Sequence, residues 1–291
     1  MLDAKTILFV ALGLVAAVFV VAWVRSAGGG ADAARPGPLG LAIGFVTNFF
    51  DTLGIGSFAP TTSIFKLKGL LPDEQIPGTL NVGHAIPTIV QAFIFIAIVK
   101  VEMATLTALI AASVAGAWLG AGLVASWPRR RVQLGMGLAL LAAASFFAMT
   151  NLNVFPAGGN ALGLGSPLLW VGIAGNFMLG ALMTLGIGLY APCMILIALL
   201  GMNPQAAFPI MMGSCAFLMP VGGLRFIAKG SYNLKAALGL TIGGFPAVLL
   251  AAFVIKSLPL VYLRWLIVAV VLYTAIVMLR SAAAAKSSSP A

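Results

Sequence analysis

Apolar runs of roughly bilayer-spanning length follow one another from Thr6 to Leu279. They are Thr6–Trp23, Leu39–Leu67, Gly78–Val99, Met103–Trp127, Val132–Met149, Pro167–Leu200, Ala206–Ile227, Ala236–Ile255 and Val261–Leu279. A helix needs about 20 apolar residues to cross hydrocarbon, and most of these runs come close. A soluble domain carries about 25% charged residues, whereas this chain carries 8%, with 62% hydrophobic residues and a mean hydropathy of +1.12. A water-soluble domain, a disordered chain and a secreted disulfide scaffold are excluded. Cys193 and Cys215 both lie in apolar runs, so no disulfide framework is implied. The net charge of +10 reads as topological bias, because too little aqueous surface remains for a nucleic-acid-binding face. The expected fold class is an all-α polytopic membrane protein.

Thr6–Trp23 is longer than the ~7–15 residues of a signal-peptide apolar region. Arg25 follows it, so it is expected to be a transmembrane helix, followed by a Gly/Ala/Pro linker at Ser26–Pro38. Leu39–Leu67 and Pro167–Leu200 are too long for one span, and each is interrupted by Gly-x-Gly and then Pro. The interruptions share a sequence. Thr52-Leu53-Gly54-Ile55-Gly56-Ser57-Phe58-Ala59-Pro60 recurs 132 residues later as Thr184-Leu185-Gly186-Ile187-Gly188-Leu189-Tyr190-Ala191-Pro192, identical at seven of nine positions. Paired Gly/Pro-interrupted segments in two halves mark transporters whose site lies where the halves meet. The organisation expected is residues 1–37 as an N-terminal helix and linker, 38–150 and 151–282 as two repeats, and 283–291 as a short cytoplasmic tail.

Charge decides how each interrupted segment sits. If each crosses once, the 16 basic residues divide evenly between the two sides. If each is a re-entrant hairpin, Arg25, Arg35, Lys66, Lys68, Arg129, Arg130, Arg131, Arg225, Lys229, Lys235, Arg280 and Lys286 share one side, and only Lys5, Lys100, Lys256 and Arg264 face the other. The second arrangement obeys the positive-inside rule. It implies two inverted repeats, each a re-entrant broken helix plus three transmembrane helices, with an extra N-terminal helix. The amino terminus is then outside and the carboxyl terminus cytoplasmic.

A re-entrant turn exposes backbone at membrane depth, which is tolerated only inside protein or along a wet cavity. The helix after each turn aims free N–H groups and a positive dipole end at the midplane, so two inverted turns would make an anion site without a buried Lys or Arg. The simpler reading of Gly-x-Gly is close helix packing. Substrate-binding candidates are Gly54, Ile55, Gly56, Ser57, Thr61, Asn81, His84, Gly186, Ile187, Gly188, Tyr190, Cys193 and Ser214. Hydroxyls there can donate to anionic oxygens or cap the half-helices. Asp51 is the one acid well inside an apolar run, a functional position by default. It is the candidate for coupling to a proton or cation, with backbone capping as the alternative. His84, the sole histidine, could donate to an anion, relay a proton or sit satisfied in the core. Arg129–Arg131 read as a cytoplasmic anchor and Asp73-Glu74 as a solvated loop.

Gly54-Ile55-Gly56-Ser57-Phe58-Ala59-Pro60, followed by Gly78-Thr79-Leu80-Asn81, resembles the sulfite exporter TauE/SafE family, as does the second copy from Gly186 to Pro192. The resemblance covers nearly all of the chain after about residue 38. Ser57-Phe58 and Leu189-Tyr190 stand where that family often has further glycines, and Thr6–Trp23 is an addition. The resemblance implies a plasma-membrane transporter of small sulfur-containing anions such as sulfite or organosulfonates, without cofactor, metal or catalytic residues. Its expected partners are the anion, a coupling proton or cation and lipid, with a homodimer left open. The competing reading is transmembrane thiol–disulfide electron transfer, since Ala191-Pro192-Cys193 resembles a reductase motif. Thr61 stands opposite Cys193 in the repeat, against the paired cysteines that chemistry needs. An intramembrane serine protease using Ser57 and His84 lacks the Gly-x-Ser-Gly context, because Phe58 follows Ser57.

Overall fold

The computed structural model describes residues 3–28, 35–154, 158–186, 188–254 and 261–287, and no strand occurs among them. The helices are α1 (Ala4–Ala27), α2 (Pro38–Thr52), α3 (Phe58–Leu67), α4 (Ile76–Gly83), α5 (Ala85–Ile98), α6 (Met103–Val124), α7 (Arg129–Asn151), α8 (Leu168–Met183), α9 (Tyr190–Leu199), α10 (Ala207–Ala228), α11 (Leu234–Val254) and α12 (Val261–Ser287). Among the described residues, six stretches are long and apolar enough to cross a bilayer: Ala4–Ala27, Asp73–Ile98, Met103–Val124, Arg129–Asn151, Pro204–Ala228 and Leu234–Phe253. They fit a multi-pass membrane protein. α12 continues to Ser287, into the stretch expected as a tail. Ile187 and Lys256, with the side chains of Arg264 and Lys286, lie outside the described part.

The two long apolar runs break where the glycines stand. At the end of α2, Gly54 takes φ +87°. Its N–H bonds the Asp51 carbonyl at 2.9 Å, and the Ile55 N–H bonds the Phe50 carbonyl at 3.1 Å. This is a Schellman stop, which caps the last carbonyls and needs a left-handed residue at its centre. Gly186 likewise stands left-handed past the end of α8, with φ +93° and an N–H bonded to Met183 O at 3.0 Å.

Contacts at the helix ends define two faces of the bundle. On one, Gly159 N–H bonds Met202 O, Asn203 N–H bonds Ala161 O and Glu102 N–H bonds Leu162 O, all within 3.0 Å. The start of α8, the end of α9 and the start of α6 therefore lie together. Lys5 Nζ on Ala97 O (2.8 Å) joins the ends of α1 and α5. On the other face, Lys66 at the end of α3 meets Asp73, which is reached by Arg129 and Gln133 at the start of α7. Asn233 N–H bonds Thr79 Oγ1, placing the start of α11 beside the start of α4. α2 and α11 start together, with Gly40 against Gly239. Arg130 Nε reaches Ala282 O of α12, and Lys229 Nζ reaches Gly122 O.

Two helix pairs approach closely enough to exclude side chains. A Cβ on Gly44 would lie 2.4 Å from Gly239 O in the α2–α11 pair, and one on Gly180 would lie 2.1 Å from Ser113 O in the α8–α6 pair. Such small-residue seams replace the hydrophobic drive that lipid cannot supply.

Two expectations need correction. Gly78–Val99 is not one helix, because it parts at His84 into α4 and α5. Pro87 has no N–H for the Gly83 carbonyl four residues back, and Thr241 Oγ1 takes that carbonyl instead at 2.7 Å. Asp73 is not in a solvated loop. It is 3% exposed and accepts from Lys66 Nζ (2.6 Å) and Gln133 Nε2 (2.8 Å). It thus ties α3 to α7.

Candidate functional site

The two breaks meet. One buried cavity is lined by Asp51, Gly56, Ser57 and Phe58 from the first break and by Met183, Gly188, Leu189 and Tyr190 from the second. Thr88 of α5 and Cys215 and Met219 of α10 complete the wall. The starts of α3 and α9 therefore border the same space, where the first backbone N–H groups of each helix lack a partner within the helix and that of Ser57 is taken by the Asp51 carboxylate. The space open to the centre of a water molecule is about 10 Å³, room for about one water.

Gln91 of α5 spans the two breaks and was not foreseen. Its Nε2 donates to Asp51 Oδ2 at 2.8 Å and to Thr52 Oγ1 at 3.0 Å. Its Oε1 accepts the Tyr190 hydroxyl. Every amide hydrogen is used, and the side chain is fully buried. The signal available in the sequence was an amide alone in the apolar run Ala85–Ile98. An amide in such a run is expensive unless it is paired.

His84 stands one layer behind the cavity. Its Nδ1 lies 3.0 Å from Asn48 Oδ1 and its Nε2 lies 3.2 Å from Thr61 Oγ1. Asn48 Nδ2 donates to Gly44 O at 2.7 Å, so its oxygen is the acceptor that faces His84. This network assigns the tautomer: Nδ1 carries the proton. A neutral ring then takes the Thr61 hydroxyl proton at Nε2, in competition with Ser57 O, which lies 2.7 Å from the same hydroxyl. His84 is a satisfied core histidine that braces α3 against α2.

Of the other candidates, Gly56, Ser57, Gly188 and Tyr190 line the cavity together with Asp51, whereas Gly54, Ile55, Thr61, Asn81, Gly186, Cys193 and Ser214 do not. Gly54 and Gly186 act through the helix stops. Ile55 is buried in the core. Ser214 accepts from Asn176 Nδ2 at 2.9 Å, in a seam with Leu109 O. Asn81 Nδ2 bonds Pro77 O within α4. Both cysteines are free and buried. Cys215 Sγ lies 3.6 Å from Met183 Sδ, a cavity neighbour. The two Gly-x-Gly turns also differ. Gly56 has φ +88°, whereas Gly188 is not left-handed. The second turn does not repeat the first at that position. Among the described residues, no group of three or more His, Cys, Asp or Glu could hold a metal ion.

No protein-family model, curated protein or solved structure matches the chain.

Proposed function

We propose that this protein is a plasma-membrane carrier of small sulfur-containing anions, such as sulfite or organosulfonates, similar to the TauE/SafE exporters. It moves its substrate unchanged rather than converting it. The observation that carries this reading is the single cavity shared by the starts of α3 and α9. Two converging helix starts favour an anion without a buried cation.

The element pattern supports two inverted repeats. α9 begins and ends 132 residues after α3. α8, α11 and α12 likewise correspond to α2, α6 and α7, and α10 corresponds to α4 and α5 together. The packing exchanges the halves: α2 lies on α11 as α8 lies on α6, and α3 lies on α12 as α9 lies on α7. α6 and α7 start on opposite faces; the start of α6 meets the outer ends of α8 and α9, and the start of α7 meets the outer end of α3, which supports hairpins entering from opposite sides.

A negative interior favours anion exit by about 2.3 kcal/mol per charge per 100 mV, so the proposed direction is export. The test is flux through proteoliposomes holding the purified protein, with sulfite, sulfoacetate and other sulfur oxyanions, each with and without a proton gradient. Protein-dependent movement of at least one of them is expected. No movement of any would overturn the proposal.

Asp51 is the coupling group in this reading. No basic side chain among the described residues bonds it, and a charge buried without a counter-ion is costly. A proton or cation has to accompany an anion that enters beside it. Asp51→Asn keeps the shape and an acceptor for Gln91 but cannot titrate. Its flux should lose the pH dependence of the wild type, while half-saturation shifts less. If the two pH profiles superimpose, Asp51 only holds Gln91 in place.

A further inference from the structure

An open apolar groove of about 700 Å³ runs between α1, α6 and α10, away from the cavity just described. Leu8 and Ala11 form its α1 wall. Its α6 wall extends from Thr107 to Leu119, about 18 Å at 1.5 Å per residue. That is a little more than half of a ~30 Å hydrocarbon core, and so the span of one acyl chain.

The groove has a charged end. On α10 its lining residues Phe217 and Val221 are four apart, and Arg225 continues the same stripe one turn later. On α6 Trp118 lies near the end of the wall, and the Arg225 guanidinium carbon lies 4.1 Å from the Trp118 ring centroid. Trp118 therefore lines the groove and carries the cation on its face. Lys229 sits beside them, with Nζ on Gly122 O at 2.8 Å. Among the described residues, no carboxylate pairs with Arg225 or Lys229. This is the bundle face that also carries Lys66 and Arg129.

We propose that this groove holds an anionic phospholipid, with one acyl chain along α6 and α10 and the phosphate against Arg225 and Lys229. An apolar channel ending in two cations on an aromatic shelf favours a lipid of net negative charge over a zwitterionic one, whose headgroup brings a further cation to the same place. Basic pockets between membrane helices take anionic headgroups for this reason. The inference needs only the membrane setting and does not depend on what is transported.

The test is native mass spectrometry of the purified protein after exchange into detergent with equal phosphatidylglycerol and phosphatidylcholine. Retention of phosphatidylglycerol over phosphatidylcholine is expected in the wild type. Arg225→Gln should lower that preference about fivefold, the value of one surface cation. Ala115→Trp, which fills the groove from its open side and leaves Arg225 untouched, should lower total lipid retention. Equal retention of the two lipids in the wild type, or an unchanged preference in Arg225→Gln, would overturn the headgroup assignment. Undiminished retention in Ala115→Trp would overturn the acyl-chain assignment. A Leu119→Cys variant that cross-links into dimers would mean that a second copy, not lipid, covers the groove. Thermal unfolding of Arg225→Gln and Ala115→Trp close to the wild type is expected, since Ala115 is exposed and Arg225 is half-buried with no carboxylate partner among the described residues; a variant that fails to fold would show that the groove is core packing and would also overturn the proposal.

Discussion

Gln91→Leu should lower transport by tenfold or more and destabilise the protein. The substitution keeps the side chain's bulk and removes three links at once: to Asp51, to Thr52 and to Tyr190. Each buried partner left without its bond costs about 1–3 kcal/mol, and 1.4 kcal/mol is already a factor of ten in an equilibrium. Tyr190→Phe cuts only the link to the second break and should cost a fraction of this. The checks are flux in proteoliposomes and the thermal midpoint of the purified protein. If Gln91→Leu transports normally with an unchanged midpoint, the two breaks are not joined through this amide.

The two second glycines of the Gly-x-Gly turns should respond differently. Gly56 sits at φ +88°, and a Cβ added there meets nothing within 4 Å, so the cost of Gly56→Ala is conformational rather than steric. A left-handed non-glycine residue costs about 1–2 kcal/mol, and a β-branched one costs more. At Gly188 the nearest heavy atom to an added Cβ is Phe58 Cβ at 3.9 Å, an ordinary contact, and φ is not left-handed. Gly56→Val should therefore abolish transport and lower the thermal midpoint, whereas Gly188→Ala should leave the midpoint near that of the wild type. Equal losses at Gly56→Ala and Gly188→Ala would mean that the two turns work alike.

These asymmetries show where sequence alone was informative. Helix positions and both breaks were legible because apolar length, Gly-x-Gly and Pro act locally, through span, left-handed backbone and a missing N–H. The pairing of the breaks followed from the 132-residue repeat, but the group that joins them did not. Gln91 looks like an isolated polar residue until Tyr190, 99 residues away, is placed beside it. Asp73 read as a solvated loop because Gln133, 60 residues on, is invisible to local pattern. The division of the third run at His84 was written in Pro87, but whether a proline bends or breaks a helix depends on who takes the freed carbonyl. Here Thr241 of α11 takes it, whereas α10 runs unbroken through Pro220. Identical motif residues did not guarantee identical backbone, as Gly56 and Gly188 show.

The most direct measurement is single-cysteine labelling from each side of sealed, oriented vesicles, with the buried Cys193 and Cys215 silent. Lys68→Cys, just past α3, and Arg130→Cys, at the start of α7, are exposed positions on one face. Leu162→Cys, before α8, and Lys100→Cys, before α6, are exposed positions on the other. If the two broken helices enter from opposite sides to meet at one site, Lys68→Cys and Arg130→Cys label from the inside only, and Leu162→Cys and Lys100→Cys from the outside only. Labelling of Lys68→Cys and Leu162→Cys from the same side would contradict the account.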